Sequence, residues 1–114
     1  MIVLRAAVAY RVPLRLRLPF RYGITTLTEV THLVLHATYE IDGVVVSGWV
    51  ADNLAPKWFR KDPTQPIADE LVEMDGVIAA AFGHARVIMA PDAFRFWQEL
   101  HEAQAAWEIG RAHV

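Results

Sequence analysis

Residues 30–50 read VTHLVLHATYEIDGVVVSGWV, and this stretch decides the fold. Apolar side chains occupy every second position from Leu33 to Ile41, a period that is typical of a β-strand with one buried face. Asp42-Gly43 then separates this run from Val44–Val46, and such a dipeptide between β-rich runs indicates a hairpin. The stretch therefore predicts two antiparallel strands, the second of which ends near Val50.

The N-terminal part of the chain shows the same two-residue alternation. Every even position from 2 to 18 is apolar: Ile2, Leu4, Ala6, Val8, Tyr10, Val12, Leu14, Leu16 and Leu18. Four of the odd positions are arginine, so we expect a first strand with a buried apolar face and a solvated basic face. Pro13 cannot donate a ladder hydrogen bond and predicts an edge position or a bend. Residues 20–28 have no clean period and predict a loop.

The pattern changes after the third predicted strand. Residues 51–66 contain three prolines, which predict a loop, and Thr64 is a candidate N-cap for the helix that follows. Apolar residues then recur at helical spacing: Ile67, Leu71, Met74, Ile78 and Phe82. Gly76 is a point where this helix could bend or split. Residues 92–108 predict another helix whose apolar face holds Phe96 or Trp97, Leu100, Ala103 and Trp107.

The order of these elements predicts the fold class. It is α+β: a three-stranded antiparallel β-meander followed by two or three α-helices. The expected bounds are a sheet over about residues 1–50, a loop over 51–65 and helices over about 66–108, all in one domain.

Composition excludes several classes of protein. A chain of 114 residues cannot hold a (β/α)8 barrel, which takes about 250 residues. The absence of cysteine excludes a disulfide framework and thiolate metal sites. The net charge of −2 argues against a nucleic-acid binder, and no apolar run approaches the roughly 18 residues that span a bilayer. We therefore expect a cytoplasmic protein with neither nucleic acid nor membrane as partner.

Charge is distributed unevenly along the chain. Residues 1–28 carry five arginines and no acid, whereas residues 62–75 carry five acids and no base. These segments either meet in space, face water, or provide a phosphate-binding strand face, which the acidic segment would oppose.

No cluster of residues predicts catalysis or metal binding. His32 and His36 are four apart on a predicted strand, which separates them by about 13 Å and prevents them from sharing an ion. Ser47, the single serine, lacks the glycines of a nucleophile elbow. We predict no catalytic residue and no metal ligand within the chain.

Two predicted loops remain as candidate functional segments. The first is residues 20–28, and the second is residues 51–62, where Trp58-Phe59 lies between basic residues. An aromatic pair in a basic loop could be a ligand lid, a docking surface or a membrane contact, or the rings could pack back onto the helices. Because loops after the first and third strands of a meander project from the same end, we expect one surface built from both.

Several motifs together resemble a known family. Residues 18–23 (Leu-Pro-Phe-Arg-Tyr-Gly), 42–49 (Asp-Gly-Val-Val-Val-Ser-Gly-Trp) and 56–59 (Pro-Lys-Trp-Phe), in this order, resemble the N-terminal capping domain of the enolase superfamily, in its mandelate racemase/muconate-lactonizing enzyme branch. The similarity covers essentially the whole chain. Many members end the third strand with Gly-x-Gly-Glu, whereas this chain has Gly48-Trp49-Val50-Ala51 and departs from the family there.

The resemblance implies a function for the two loops. In such enzymes a C-terminal (β/α) barrel carries the Mg²⁺ ligands and the bases that abstract a proton α to a carboxylate, and the capping domain closes over the barrel mouth. It follows that residues 1–114 are one capping domain, without the barrel, its Mg²⁺ or any catalytic residue. The implied substrate-loop candidates, for a small carboxylate substrate, are Phe20, Arg21, Tyr22, Ile24, Thr25, Thr26, Asp52, Asn53, Lys57, Trp58 and Phe59.

Two other functions stay open. One is a free-standing interaction or oligomerisation module that self-associates through exposed apolar surface. The other is binding of single-stranded nucleic acid through the N-terminal arginines, which the net charge disfavours.

Overall fold

Three long strands precede two helices in the computed structural model, which describes residues 1–58 and 61–112. The elements are β1 (Ile2–Tyr22), β2 (Thr25–Ile41), β3 (Val44–Leu54), α1 (Ile67–Ala85), β4 (Met89–Ala90) and α2 (Ala93–Ala112). The strands form one antiparallel sheet in the order β3-β2-β1-β4. The α+β class and the meander of the first three strands are confirmed.

The described sheet has four strands rather than the predicted three. The fourth, β4, contains only two residues, which pair with the start of β1 in the register Ile2↔Ala90 and Val3↔Met89. Two residues carry no hydrophobic period, so the sequence pattern contained no signal for this strand.

Both connections within the meander are two-residue turns. Asp42 and Gly43 both have positive φ, 50° and 83°, as a type I′ turn requires, so the predicted hairpin is confirmed. The other turn is Gly23-Ile24, where Gly23 has φ 51°. The loop expected over residues 20–28 is therefore wrong: β1 continues to Tyr22 and β2 starts at Thr25, because a glycine at the first turn position lets the chain reverse at once.

The segment between β3 and α1 is shorter than predicted. Strand β3 continues to Leu54, so the connecting segment comprises residues 55–66. Thr64 lies three residues before the first residue of α1, Ile67, and so does not occupy the N-cap position; its backbone N–H and its hydroxyl donate to Asp62 Oδ1, at 2.9 and 2.6 Å. The carbonyl of Pro66 instead accepts the N–H groups of Asp69 and Glu70. Helix α1 continues through Gly76 without a break.

The chain divides into two compact units. The first comprises Met1–Val8, His36–Gly48 and Val77–Val114. Its core contains the buried residues Leu4, Ala85, Ile88, Ala90 and Phe96. Phe96, rather than the exposed Trp97, is the inward aromatic residue of α2, and its ring meets Tyr39 edge-on at 5.8 Å. Asp92 caps α2 by accepting the N–H of Arg95 at 2.7 Å.

The second unit comprises Ala9–Leu35 and Trp49–Gly76. Buried Leu27, Val30 and Leu33 come from β2, Pro56 is buried in the connecting segment, and Lys57 and Glu70 are buried polar residues. Within this unit Arg11 donates two hydrogen bonds to Asp75 Oδ1, at 2.8 and 2.6 Å. The basic and acidic segments of the sequence thus do meet at this pair.

The predicted burial of the even positions of β1 is wrong for most of the strand. Arg11 points towards α1, so Tyr10 and Val12 lie on the opposite face, where they are 48% and 41% exposed. Trp49 stacks on Tyr10 at 6.2 Å and is 65% exposed. We call Tyr10, Val12 and Trp49 the outer face of the second unit. Alternation predicts which side chains share a face, but it does not reveal whether anything covers that face.

Candidate functional site

The candidate site lies in the second unit, where the Gly23-Ile24 turn meets the connecting segment. The hydroxyl of Tyr22 donates to the carbonyl of Pro56 at 2.5 Å. The rings of Tyr22 and Trp58 meet edge-on with centroids 5.6 Å apart. Two segments that are more than 30 residues apart in the chain therefore form one surface, as expected from a meander.

A small cleft opens at this meeting point. Its volume is about 150 Å³, and it is lined by Tyr22, Gly23, Lys57, Trp58 and Lys61. Trp58 is 58% exposed, so the ring does not pack back into a helix. Phe20, also exposed, lies against Tyr22 with ring centroids 5.7 Å apart. The cleft thus has aromatic walls and the lysine side chain of Lys61 at its rim.

Beneath the cleft is a buried pair of opposite charges. Lys57 is 6% exposed and Glu70 is 4% exposed. Glu70 Oε2 accepts the backbone N–H of Lys57 at 2.7 Å, and Oε1 lies 3.7 Å from Lys57 Nζ. Because burial of an unpaired charge is costly, each of these residues depends on the other.

The ammonium of Lys57 is directed into the protein. Nζ donates to the carbonyl oxygens of Asp62 at 2.7 Å and Gln65 at 2.5 Å. Two of the three ammonium donors are thus taken by backbone carbonyls, and Glu70 Oε1 lies at ion-pair distance from Nζ, beyond hydrogen-bond range. Lys57 therefore lines the cleft as a structural residue rather than as a cation offered to a ligand.

The environment of Tyr22 changes its acidity. Burial raises the pKa of the Tyr22 phenol above its usual value, and the negative charge of Glu70 raises that pKa further. The hydroxyl therefore stays protonated at neutral pH and acts as the hydrogen-bond donor to Pro56. It is not poised to act as a base.

The other predicted substrate-loop residues lie beside the cleft or away from it. Arg21 is exposed at the end of β1, Ile24 is in the turn and Thr25 begins β2. Asp52 and Asn53 lie in β3 rather than in a loop, and Asn53 Oδ1 is bonded to His32 Nδ1 at 2.7 Å. Phe59 lies outside the described residues.

A second, wider groove is present in the same unit. Its volume is about 510 Å³, and it lies between strand residues 13–15 and 26–31 and the start of α1, at Ile67 and Leu71. Thr26 lines this groove and not the cleft. The rim includes Arg15 and Glu29, whose charged groups are 3.8 Å apart and largely exposed. Such an exposed ion pair contributes little to ligand binding or to the stability of the fold.

Sequence reasoning missed Glu70 and Lys61. In the sequence Glu70 is one acid of the acidic segment 62–75, near the start of a predicted helix, a common position that gives no sign of burial. Lys61 belongs to the basic residues around Trp58-Phe59, and its residue type alone gives no sign that it lines a cleft. Only the fold of the connecting segment shows that Lys61 lines the cleft while Lys57 turns inward.

The arrangement offers contacts for binding a small group. Within residues 1–58 and 61–112 no group of three or more histidine, aspartate or glutamate side chains is placed to hold a metal ion. Neither of the described helices is both long and apolar enough to cross a bilayer. The chemistry that the cleft can provide is contact of aromatic rings and one lysine with a small group.

Comparisons of the chain with models of protein families, with curated proteins and with solved structures found no match. Function is therefore inferred from the sequence pattern and from the geometry of the described residues.

Proposed function

We propose that this chain is the substrate-specificity cap of a Mg²⁺-dependent enzyme of the enolase superfamily. The parent would be a racemase, cycloisomerase or dehydratase that abstracts a proton α to the carboxylate of a small substrate. The observation that carries the proposal is the cleft that Tyr22 and Trp58 form together, because these residues come from the two segments that the resemblance implicates. The antiparallel meander followed by helices agrees with the same family.

The proposal divides the chemistry between two domains. The Mg²⁺ ligands and the base would belong to the barrel, and the metal would stabilise the charge that develops on the substrate carboxylate. This chain contributes no group that moves a proton. Its aromatic residues Tyr22 and Trp58 would instead contact the distal end of the substrate and exclude water from the pocket.

The outer face of the second unit also supports the proposal. Tyr10, Val12 and Trp49 are between 41% and 65% exposed and form apolar surface on the second unit. Exposed aromatic and apolar side chains that lie together are typical of surfaces that meet another domain. In the proposed enzyme the C-terminal barrel domain is that partner.

A proton-exchange experiment tests the proposal. The complete product of the reading frame that encodes this chain is incubated with Mg²⁺ and a panel of small carboxylates in D₂O, and exchange of the α-proton is followed by NMR. We expect exchange with at least one carboxylate for the complete product and none for the 114-residue chain. Exchange catalysed by the 114-residue chain alone would contradict the proposal.

Matched variants of the complete product test whether the cleft determines substrate specificity. Trp58→Ala should raise KM and change which carboxylates are accepted, because Trp58 forms the exposed wall of the cleft. Val72→Ala is the control, since Val72 is an exposed apolar residue of α1 that does not line the cleft. Equal KM values for the two variants across the panel would contradict the specificity role.

A second candidate function is a free-standing interaction or oligomerisation module. The observation that favours it is β3, an edge strand whose residues Val44, Val45 and Val46 are all exposed. Natural sheets usually protect such an edge with lysine, proline or a bulge, and β3 has neither lysine nor proline. A stable dimer of the natural protein on sizing, with no proton exchange on any carboxylate, would support this function over the cap.

A further inference from the structure

The side chain of Lys57 is buried in a short segment next to the cleft, a position where lysine is seldom found. We propose that Lys57 is a positioning residue that fixes the connecting segment, and with it Trp58, before any ligand binds. The role of Lys57 in fixing the segment is argued from the geometry alone. The further step, that the fixed Trp58 side of the cleft selects a substrate, rests on the proposed cap function.

One residue, Lys57, joins three other places in the chain. Through Nζ, Lys57 bonds the carbonyls of Asp62 and Gln65, five and eight residues further on. Through its backbone N–H it is held by Glu70 on the first turns of α1. We call Lys57, Glu70 and the two carbonyls the clamp. The clamp closes the segment onto itself and ties it to a helix.

The backbone of Lys57 supports this interpretation. Its φ is 61°, a left-handed conformation that is unfavourable for a residue with a long side chain. Glycine would adopt this conformation at lower cost but could not supply the ammonium that the clamp requires. The position therefore accepts backbone strain in return for the contacts of the side chain.

The residues on either side of Lys57 form the wall of the cleft. Pro56 accepts the hydrogen bond of Tyr22, and Trp58 contacts the ring of Tyr22. Because Lys57 lies between these two contacts, fixing it fixes both. The wall is thus set in advance, whereas a lid would have to close over the substrate and pay for its ordering on binding.

Hydrogen exchange measured on the 114-residue chain tests the clamp without substrate. In Lys57→Met, which keeps the length of the aliphatic part of the side chain but removes the ammonium, the amides of Lys61, Asp62, Thr64 and Gln65 should exchange about tenfold faster, since the segment opens locally. Amides of α2, in the other unit, should be unchanged. The control is Lys61→Met, which removes the exposed lysine of the same cleft and should leave exchange in the segment at the wild-type rate.

A second readout follows Trp58 itself in the folded protein. The fluorescence anisotropy decay that is lost in Trp58→Phe isolates the contribution of Trp58. Local motion of the Trp58 ring, measured from this part of the decay, should increase in Lys57→Met and stay unchanged in Lys61→Met. If Lys57→Met fails to fold, Glu70→Gln takes its place, because it weakens the clamp but keeps an acceptor for the N–H of Lys57.

The outcomes separate the two proposals. A folded clamp variant with wild-type exchange and wild-type motion of Trp58 would overturn the positioning role and leave the cap function standing. Faster exchange and greater motion in the clamp variant alone would support it. Failure of the complete product to exchange any α-proton would overturn the cap function without affecting the clamp.

Discussion

Glu70→Leu should lower the free energy of unfolding by about 3–5 kcal/mol, the usual result of breaking a buried ion pair by removing one partner. The substitution leaves the ammonium of Lys57 and the backbone N–H of Lys57 without their carboxylate. Leucine approximates the volume of the glutamate side chain, so the change tests charge and hydrogen bonding more than packing.

The magnitude follows from the two contacts of the carboxylate. The hydrogen bond from the Lys57 N–H to Oε2, at 2.7 Å, is charge-assisted and contributes about 1.5–3 kcal/mol. The distance of 3.7 Å from Oε1 to Nζ corresponds to an attraction of about 4–5 kcal/mol at an effective dielectric constant of about 20. Removing the carboxylate also removes the several kcal/mol needed to desolvate it, which offsets part of the loss. Because Nζ keeps its two carbonyl acceptors, we expect the lower end of the range.

Urea unfolding followed by circular dichroism and tryptophan fluorescence measures the effect. The midpoint should fall while the slope against urea stays unchanged, which identifies a change in stability alone. Asp69→Asn is the matched control, because Asp69 is an exposed acid in the same helix turn and should cost no more than about 1 kcal/mol. A loss for Glu70→Leu no larger than that of Asp69→Asn would refute the reasoning.

Three further predictions concern stability. Gly76→Ala should stabilise the chain by about 0.5–1 kcal/mol in thermal unfolding, because Gly76 lies within α1 and an added Cβ meets nothing within 4 Å; a lower Tm would contradict it. Phe96→Ala should cost about 3–5 kcal/mol, and a double-mutant cycle with Tyr39→Leu should show coupling of about 0.5–1.5 kcal/mol for the edge-on rings; no coupling would contradict the contact. Because the folded-state pKa of Tyr22 is raised, its contribution to stability is complete below the usual tyrosine pKa of about 10 and is lost as pH rises through the folded-state value. Tyr22→Phe should weaken this alkaline loss, and an unchanged pH profile would contradict the assignment.

Local signals in the sequence predicted the meander because turn chemistry and strand period act over few residues. Asp42-Gly43 is decisive, since few other dipeptides tolerate positive φ at both positions. The Gly23-Ile24 turn was missed because the residues around it alternate poorly, and a single glycine also fits a longer loop. Thr64 fits a cap by residue type, but α1 begins at Ile67, so the cap position is Pro66, and residue type does not encode where a helix starts.

The candidate site was predictable only in part. Tyr22 and Trp58 stood out as aromatic residues in segments expected at one end of the sheet, and the structure brings them together. The clamp depends on the left-handed backbone at Lys57 and on a contact with Glu70, 13 residues away. No local pattern encodes either, because burial of a charge is decided by tertiary packing. Likewise the exposure of Tyr10 depends on what covers the face, which alternation along a strand does not encode.

The mass of the natural protein tests the central claim, the cap function, most directly. An antibody raised against residues 1–58 isolates the protein from its natural source, and mass spectrometry measures the intact chain. The cap function predicts a single polypeptide that carries an additional barrel of about 250 residues. A natural protein of 12.9 kDa, the mass of these 114 residues alone, would contradict it.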